Sequence, residues 1–141
     1  MVDLITGSSG KGKTSYLIDT VNEAIKSASG NIVYIDKSSK HMYELNNKIR
    51  LIDASQYPIK GADELVGFIC GIISQDHDVE QIFIDGFGRI AQVPVDSLEL
   101  EHGIGQLENI SNMFNVKFIV GITADKEQLS EGLQAMVTLA L

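Results

Sequence analysis

Gly7-Ser8-Ser9-Gly10-Lys11-Gly12-Lys13-Thr14 fits the pattern G-x-x-x-x-G-K-[ST] at every fixed position. It follows a short apolar run, Val2-Asp3-Leu4-Ile5-Thr6, and precedes a helical pattern that starts near Lys13. Strand, glycine-rich loop and helix in that order are what a phosphate-binding loop requires. Gly7, Gly10 and Gly12 free the backbone so that its N–H groups can close around an anion, and the helix start adds a partial positive charge. In such a loop Gly7, Ser8, Ser9, Gly10, Lys11, Gly12, Lys13, Thr14 and Ser15 hold the phosphates. Lys13 reaches the terminal ones and the Thr14 hydroxyl ligates Mg²⁺. The competing reading is a Gly/Ser turn that joins a strand to a helix and matches by chance.

Around this loop the chain has the makings of one domain over residues 1–141. Its 141 residues with 44% hydrophobic content can bury a core but are too few for two domains. The net charge of −8 disfavours a nucleic-acid groove or an anionic membrane surface, since both require a basic field. Cys70, the single cysteine, lies in an apolar helical run and is expected to be a buried, reduced thiol, with a cytoplasmic chain as the natural setting. A signal peptide is not expected, because cleavage would remove the loop or its strand, and no apolar run reaches the length of a membrane span.

Periodicity places the remaining elements. Leu17, Ile18, Val21, Ala24, Ile25 and Ala28 fall on one helix face, with Gly30 as the expected stop. Asn31 to Asp36 reads as a buried strand, and strand, crossover helix, strand makes that pair parallel. A short helix over Ser38 to Asn46, a weak strand over Ile49 to Ile52 and a loop through Tyr57-Pro58 follow. Ala62 to Ser74 carries Leu65, Val66, Ile69, Ile72 and Ile73 on one face, widened by Phe68 and Cys70 enough to accept a partner chain. Gln81-Ile82-Phe83-Ile84-Asp85 is the clearest strand and ends at Gly86. Leu100, Ile104, Leu107, Ile110 and Phe114 mark a helix that Gly103 and Gly105 should weaken, and Lys117 to Thr123 is a further strand. Met136 to Leu141 reads equally as a last strand or a helix end.

The loop resembles that of the P-loop NTPases, and the strand ends extend the resemblance. Asp85 after Ile82-Phe83-Ile84 resembles the Walker B element, whose aspartate holds Mg²⁺; a capping carboxylate is the plainer alternative. Tyr34-Ile35-Asp36-Lys37-Ser38 resembles the strand end at which RecA-like ATPases place a water-positioning carboxylate, but Ser38 stands where a glutamate is expected. Gly86 likewise follows Asp85 where other P-loop ATPases carry theirs. Asp36 is therefore read either as the base or as a solvated strand-end carboxylate. Thr123 stands where related ATPases sense the γ-phosphate, or it caps a turn. Lys11 reads as a solvated side chain, and Arg89 as a finger or a plain surface arginine.

What the resemblance implies is an α/β three-layer sandwich with a mainly parallel sheet of about five strands, of the RecA-like type. It implies a protein that binds ATP with Mg²⁺ and hydrolyses it slowly, with Lys13, Asp36, Asp85 and Thr123 as catalytic candidates and Thr14 and Asp85 on the metal. Two alternatives stay open: a nucleotide-sensing module without useful turnover, and a small-molecule kinase. Only Arg50 and Arg89 are available to clamp two phosphate groups, which counts against the kinase. Asp85-Gly86-Phe87-Gly88 fits D-x-x-G, but without an N-K-x-D segment to read guanine ATP is favoured over GTP. The short chain leaves little for a base pocket, so a homo-oligomer or another protein partner is expected to complete the site. His41, His77 and His102 are scattered and do not read as a zinc site.

Overall fold

The computed structural model describes residues 1–141. Six strands, β1 (Val2–Gly7), β2 (Asn31–Asp36), β3 (Arg50–Asp53), β4 (Val79–Ile84), β5 (Lys117–Thr123) and β6 (Val137–Ala140), form one sheet in the order β3-β2-β4-β5-β1-β6. Every neighbouring pair is parallel. The sheet thus has one strand more than the expected five. The extra strand resolves the ambiguous tail: β6 lies on the edge of β1, where Leu4 N–H donates to Met136 O at 3.1 Å and Leu141 N–H to Thr6 O at 2.8 Å.

Alternation along each strand divides the side chains between two cores. Leu4, Val33, Ile35, Ile82, Ile84, Phe118, Val120 and Ile122 face α2 (Ala62–Gln75), α3 (Phe87–Ala91) and α4 (Leu98–Phe114). Ile5, Ile32, Tyr34, Phe83 and Ile119 face α1 (Lys13–Ala24) on the other side. A fifth helix, α5 (Glu131–Gln134), is a single turn before β6. Helices on both faces of a parallel sheet make the three-layer α/β architecture that the sequence implied.

Several local expectations are corrected. Helix α1 ends at Ala24 rather than near Gly30, because Lys26 and Ser27 N–H close tight turns onto Glu23 O and Ala24 O. Gly30 serves a different need: a Cβ there would stand 2.1 Å from the Asp78 carbonyl oxygen. The expected helix over Ser38 to Asn46 shrinks to a 3₁₀ turn, Met42–Glu44, of which only the following Leu45 is buried. Cys70 is exposed, not buried. The core stripe of α2 is Ala62, Leu65, Val66, Ile69 and Ile73, and Cys70 is rotated about 100° from Ile69, away from the sheet. Phe68 is half-buried, its ring tilted at 49° against Tyr57 with the centroids 5.2 Å apart. Phe114 at the end of α4 is 53% exposed, past the rim of the core.

Helix α4 runs unbroken through Gly103 and Gly105. Gly103 allows a close helix crossing, since a Cβ there would lie 2.9 Å from Ala62 Cβ and 3.1 Å from Phe87 Cζ. The lost helix propensity is offset by packing among Leu100, Ile104 and Leu107, all fully buried.

Candidate functional site

The carboxyl ends of β1, β5, β4 and β2 stand side by side in the sheet, and their sequence-singled residues meet on one rim. Thr123 ends β5 opposite Gly7 of β1. Asp85 directly follows β4 and is tied to β2 by its N–H donating to Ile35 O at 2.8 Å. Asp36 ends β2.

Between β1 and α1 the loop turns through left-handed backbone at Gly10 (φ 83°) and Gly12 (φ 94°), which a side chain would strain. Lys13 is buried, and its ammonium donates to Gly7 O at 2.7 Å and Ser8 O at 3.3 Å. Burial lowers its pKa, the Arg89 charge lowers it further, and Asp85 opposes both. A lysine folded over its own loop has cationic charge in hand for an anion placed there.

Thr14, the first threonine of α1, donates its hydroxyl to Asp85 Oδ2 at 2.9 Å across 71 residues of sequence. The same Oδ2 accepts from the Tyr34 hydroxyl at 3.2 Å. Tyr34 sits two residues before Asp36 on the same strand face, and burial, then the nearby Asp85 and Asp36 charges, push its phenol well above the usual range. Asp85 Oδ1 is buried without a hydrogen-bond partner; the nearest cation is Arg89 Nη2 at 3.8 Å. A hydroxyl and a carboxylate with a free oxygen form the hard oxygen donor set that suits Mg²⁺.

Gly86 has a structural reason to be glycine. Its φ is 90°, a left-handed conformation that a glutamate would strain, and a Cβ there would lie 2.8 Å from Arg89 Nε. Asp36 is buried, with Oδ1 accepting from Lys37 N–H at 2.7 Å and Oδ2 unpartnered. Burial raises its pKa, and Asp85 adds to the rise; the Lys37 amide, His41 and Arg89 oppose it. It is therefore not the solvated carboxylate of the alternative reading.

A cleft of about 360 Å³ opens over this rim. Ser9, Gly10, Gly12, Lys13, Thr14 and Ser15 line it from the loop side, and Thr123 at the end of β5, Arg89 of α3 and Lys40 and His41 after β2 from the facing side; none of its lining is apolar. Lys13, Lys40 and Arg89 thus gather cationic side chains around one cleft in a chain of net charge −8. Lys11 is exposed and does not line the cleft, as expected of a solvated side chain. A wider groove of about 730 Å³ lies on the α1 face around Asp3, Tyr16 and Lys117 and holds none of the loop residues.

Tyr34, Lys40 and His41 escaped the sequence reading. Tyr34 could have been found by counting back two residues from Asp36; Lys40 and His41 lie in an irregular stretch whose path no periodicity gives.

No protein-family model matches the sequence, and no curated protein matches it. Among solved structures, the flagellar accessory protein FlaH from Methanocaldococcus jannaschii is similar over 96% of this chain and 65% of that one, with a TM-score of 0.63 and 10% identity. The likeness and the parallel sheet place the architecture in the RecA-like α/β class. This chain spans slightly less than two thirds of FlaH's length, and at that identity the likeness speaks for the fold alone. No helix is long and apolar enough to cross a membrane.

Proposed function

We propose that the chain is a nucleotide-binding domain that takes ATP with Mg²⁺ on this rim and hydrolyses it slowly. The observation that carries the reading is the 2.9 Å contact of Thr14 with Asp85, which joins the loop sequence to the aspartate of a strand two places away in the sheet. Chance matches to the loop pattern have no reason to bring that pair together beside a buried lysine.

In this reading the loop amides and Lys13 hold the phosphates, while Thr14 and Asp85 hold the metal. Mg²⁺, when bound, neutralises phosphate charge. Asp36 is assigned to accept a proton from water: its Oδ2, buried and outside the cleft lining, has no hydrogen-bond partner, and burial raises its basicity. Thr123 offers a hydroxyl on the same rim. The Arg89 guanidinium beside Asp85 is placed to balance developing charge.

Phosphate release from Mg·ATP tests the proposal, measured for wild type and for Lys13→Ala and Asp36→Asn. Release by wild type that both substitutions abolish is the expected result. Release that persists in Lys13→Ala would refute it. A second reading, a nucleotide-sensing module, is favoured by Gly86, whose left-handed backbone disfavours a glutamate directly after Asp85. Binding without release in wild type would select that reading.

A further inference from the structure

The segment after β2 is held firmly for a stretch with so little regular structure. Asn22 of α1 donates to Glu44 O at 2.8 Å and accepts from Asn46 N–H at 2.8 Å, and Leu45 between them is buried. This clamp fixes the turn that carries His41, which is half-buried on the wall of the cleft facing the loop. Glu44 Oε2 lies 2.5 Å from His41 Nδ1. A carboxylate on Nδ1 sets the ring's rotation and keeps a proton on that nitrogen, which leaves Nε2 as the ring's uncommitted polar atom.

The sheet order tells which end of a ligand this wall would meet. Moving away from the β1 loop, one crosses β5 with Thr123, then β4 with Asp85, then β2, whose continuation carries His41. A phosphate chain anchored at the loop and passing Thr14 and Asp85 has its far end toward β2.

We propose that His41, oriented by Glu44, binds the terminal phosphate of a nucleoside triphosphate seated on Gly7 to Thr14 and so distinguishes triphosphates from diphosphates. The inference rests on the nucleotide-binding reading above. Doubly protonated between two anions, the ring would have one donor for each: Nδ1–H for the Glu44 carboxylate and Nε2–H for a phosphate oxygen. In this assignment the ring meets the terminal phosphate of a triphosphate and not the shorter diphosphate.

Calorimetric titration with Mg·ADP and with Mg·AMP-PNP, a non-hydrolysable triphosphate, tests it on wild type, His41→Ala, Glu44→Ala and Lys13→Ala. Wild type should prefer the triphosphate, and His41→Ala should lose about tenfold in triphosphate affinity, the size of one charge-assisted hydrogen bond, with ADP affinity unchanged. Glu44→Ala should move the ratio in the same direction by a smaller factor, and Lys13→Ala should weaken both ligands. If His41→Ala does not fold, His41→Leu, which has no donor, supplies the same comparison, with the melting temperature as the control. Equal losses for both nucleotides, or an unchanged ratio, would overturn the role of His41 while leaving the nucleotide reading in place. Wild type that binds neither nucleotide would overturn both.

Discussion

Replacing Thr14 by valine removes one hydroxyl while keeping the side chain's shape and nearly its helix propensity. What is lost is the donor to Asp85 Oδ2 at 2.9 Å. Asp85 is 2% exposed and its Oδ1 has no partner, so the change leaves the carboxylate with the 3.2 Å contact from Tyr34 as its remaining hydroxyl donor. A hydrogen bond to a charged group contributes about 1.5–3 kcal/mol. Thr14 is half-exposed, so water can partly replace its hydroxyl, and about 1.5 kcal/mol is the expected loss. For 141 residues, an unfolding entropy of about 2 cal/mol/K per residue converts that to a drop in Tm of about 5 °C. Thermal unfolding of the nucleotide-free protein measures it, with Thr14→Ser, which retains the hydroxyl, expected to stay within about 2 °C of wild type. Valine and wild-type proteins melting together would refute the contact, and with it the main support for a joined loop and metal site.

Three further outcomes follow from particular contacts. Asp36 is raised above the ordinary carboxylate range by burial and by Asp85, so the folded state keeps a proton that the unfolded chain has released. Stability should therefore decline as pH rises from about 4 through the folded-state value, and Asp36→Asn should flatten that decline in urea titrations across pH; parallel curves would contradict it. Gly30→Ala should lose about 3 kcal/mol in denaturant unfolding, because its Cβ would fall 2.1 Å from the Asp78 carbonyl oxygen; a neutral substitution would show that this approach is not fixed. Gly105→Ala, with open space around its Cβ, should gain up to about 1 kcal/mol, whereas Gly103→Ala, 2.9 Å from Ala62 Cβ, should lose that gain or more; equal effects would deny the close crossing of α2 and α4.

The parts of the fold that were legible in sequence are those with strong local periodicity and a single outcome. The runs ending at Asp36, Asp85 and Thr123 are apolar on both faces and bounded by polar or glycine residues, so they could only be buried parallel strands. The loop was legible because two of its glycines, Gly10 and Gly12, are required by backbone angles that few other residues adopt. Illegible were features decided by tertiary contact. The edge strand β6 alternates between half-buried and exposed residues and owes its existence to β1 beside it. Gly30 looked like a helix stop because glycine usually is one there, when its role is to admit a neighbouring carbonyl. Cys70 looked buried because one apolar residue beyond a stripe cannot be told from the stripe's edge by composition. In the site, Asp36 and Asp85 were found from their strand ends, but their unpartnered oxygens depend on how neighbouring strands line up.

A crystal structure of the protein with Mg²⁺ and AMP-PNP tests the central claim most directly. The account predicts phosphates on the amides of Gly7 to Thr14, Lys13 turned from Gly7 O and Ser8 O toward them, and the metal beside Thr14 and Asp85. Nucleotide bound elsewhere, or Lys13 still on its own loop carbonyls with no phosphate in the cleft, would contradict it.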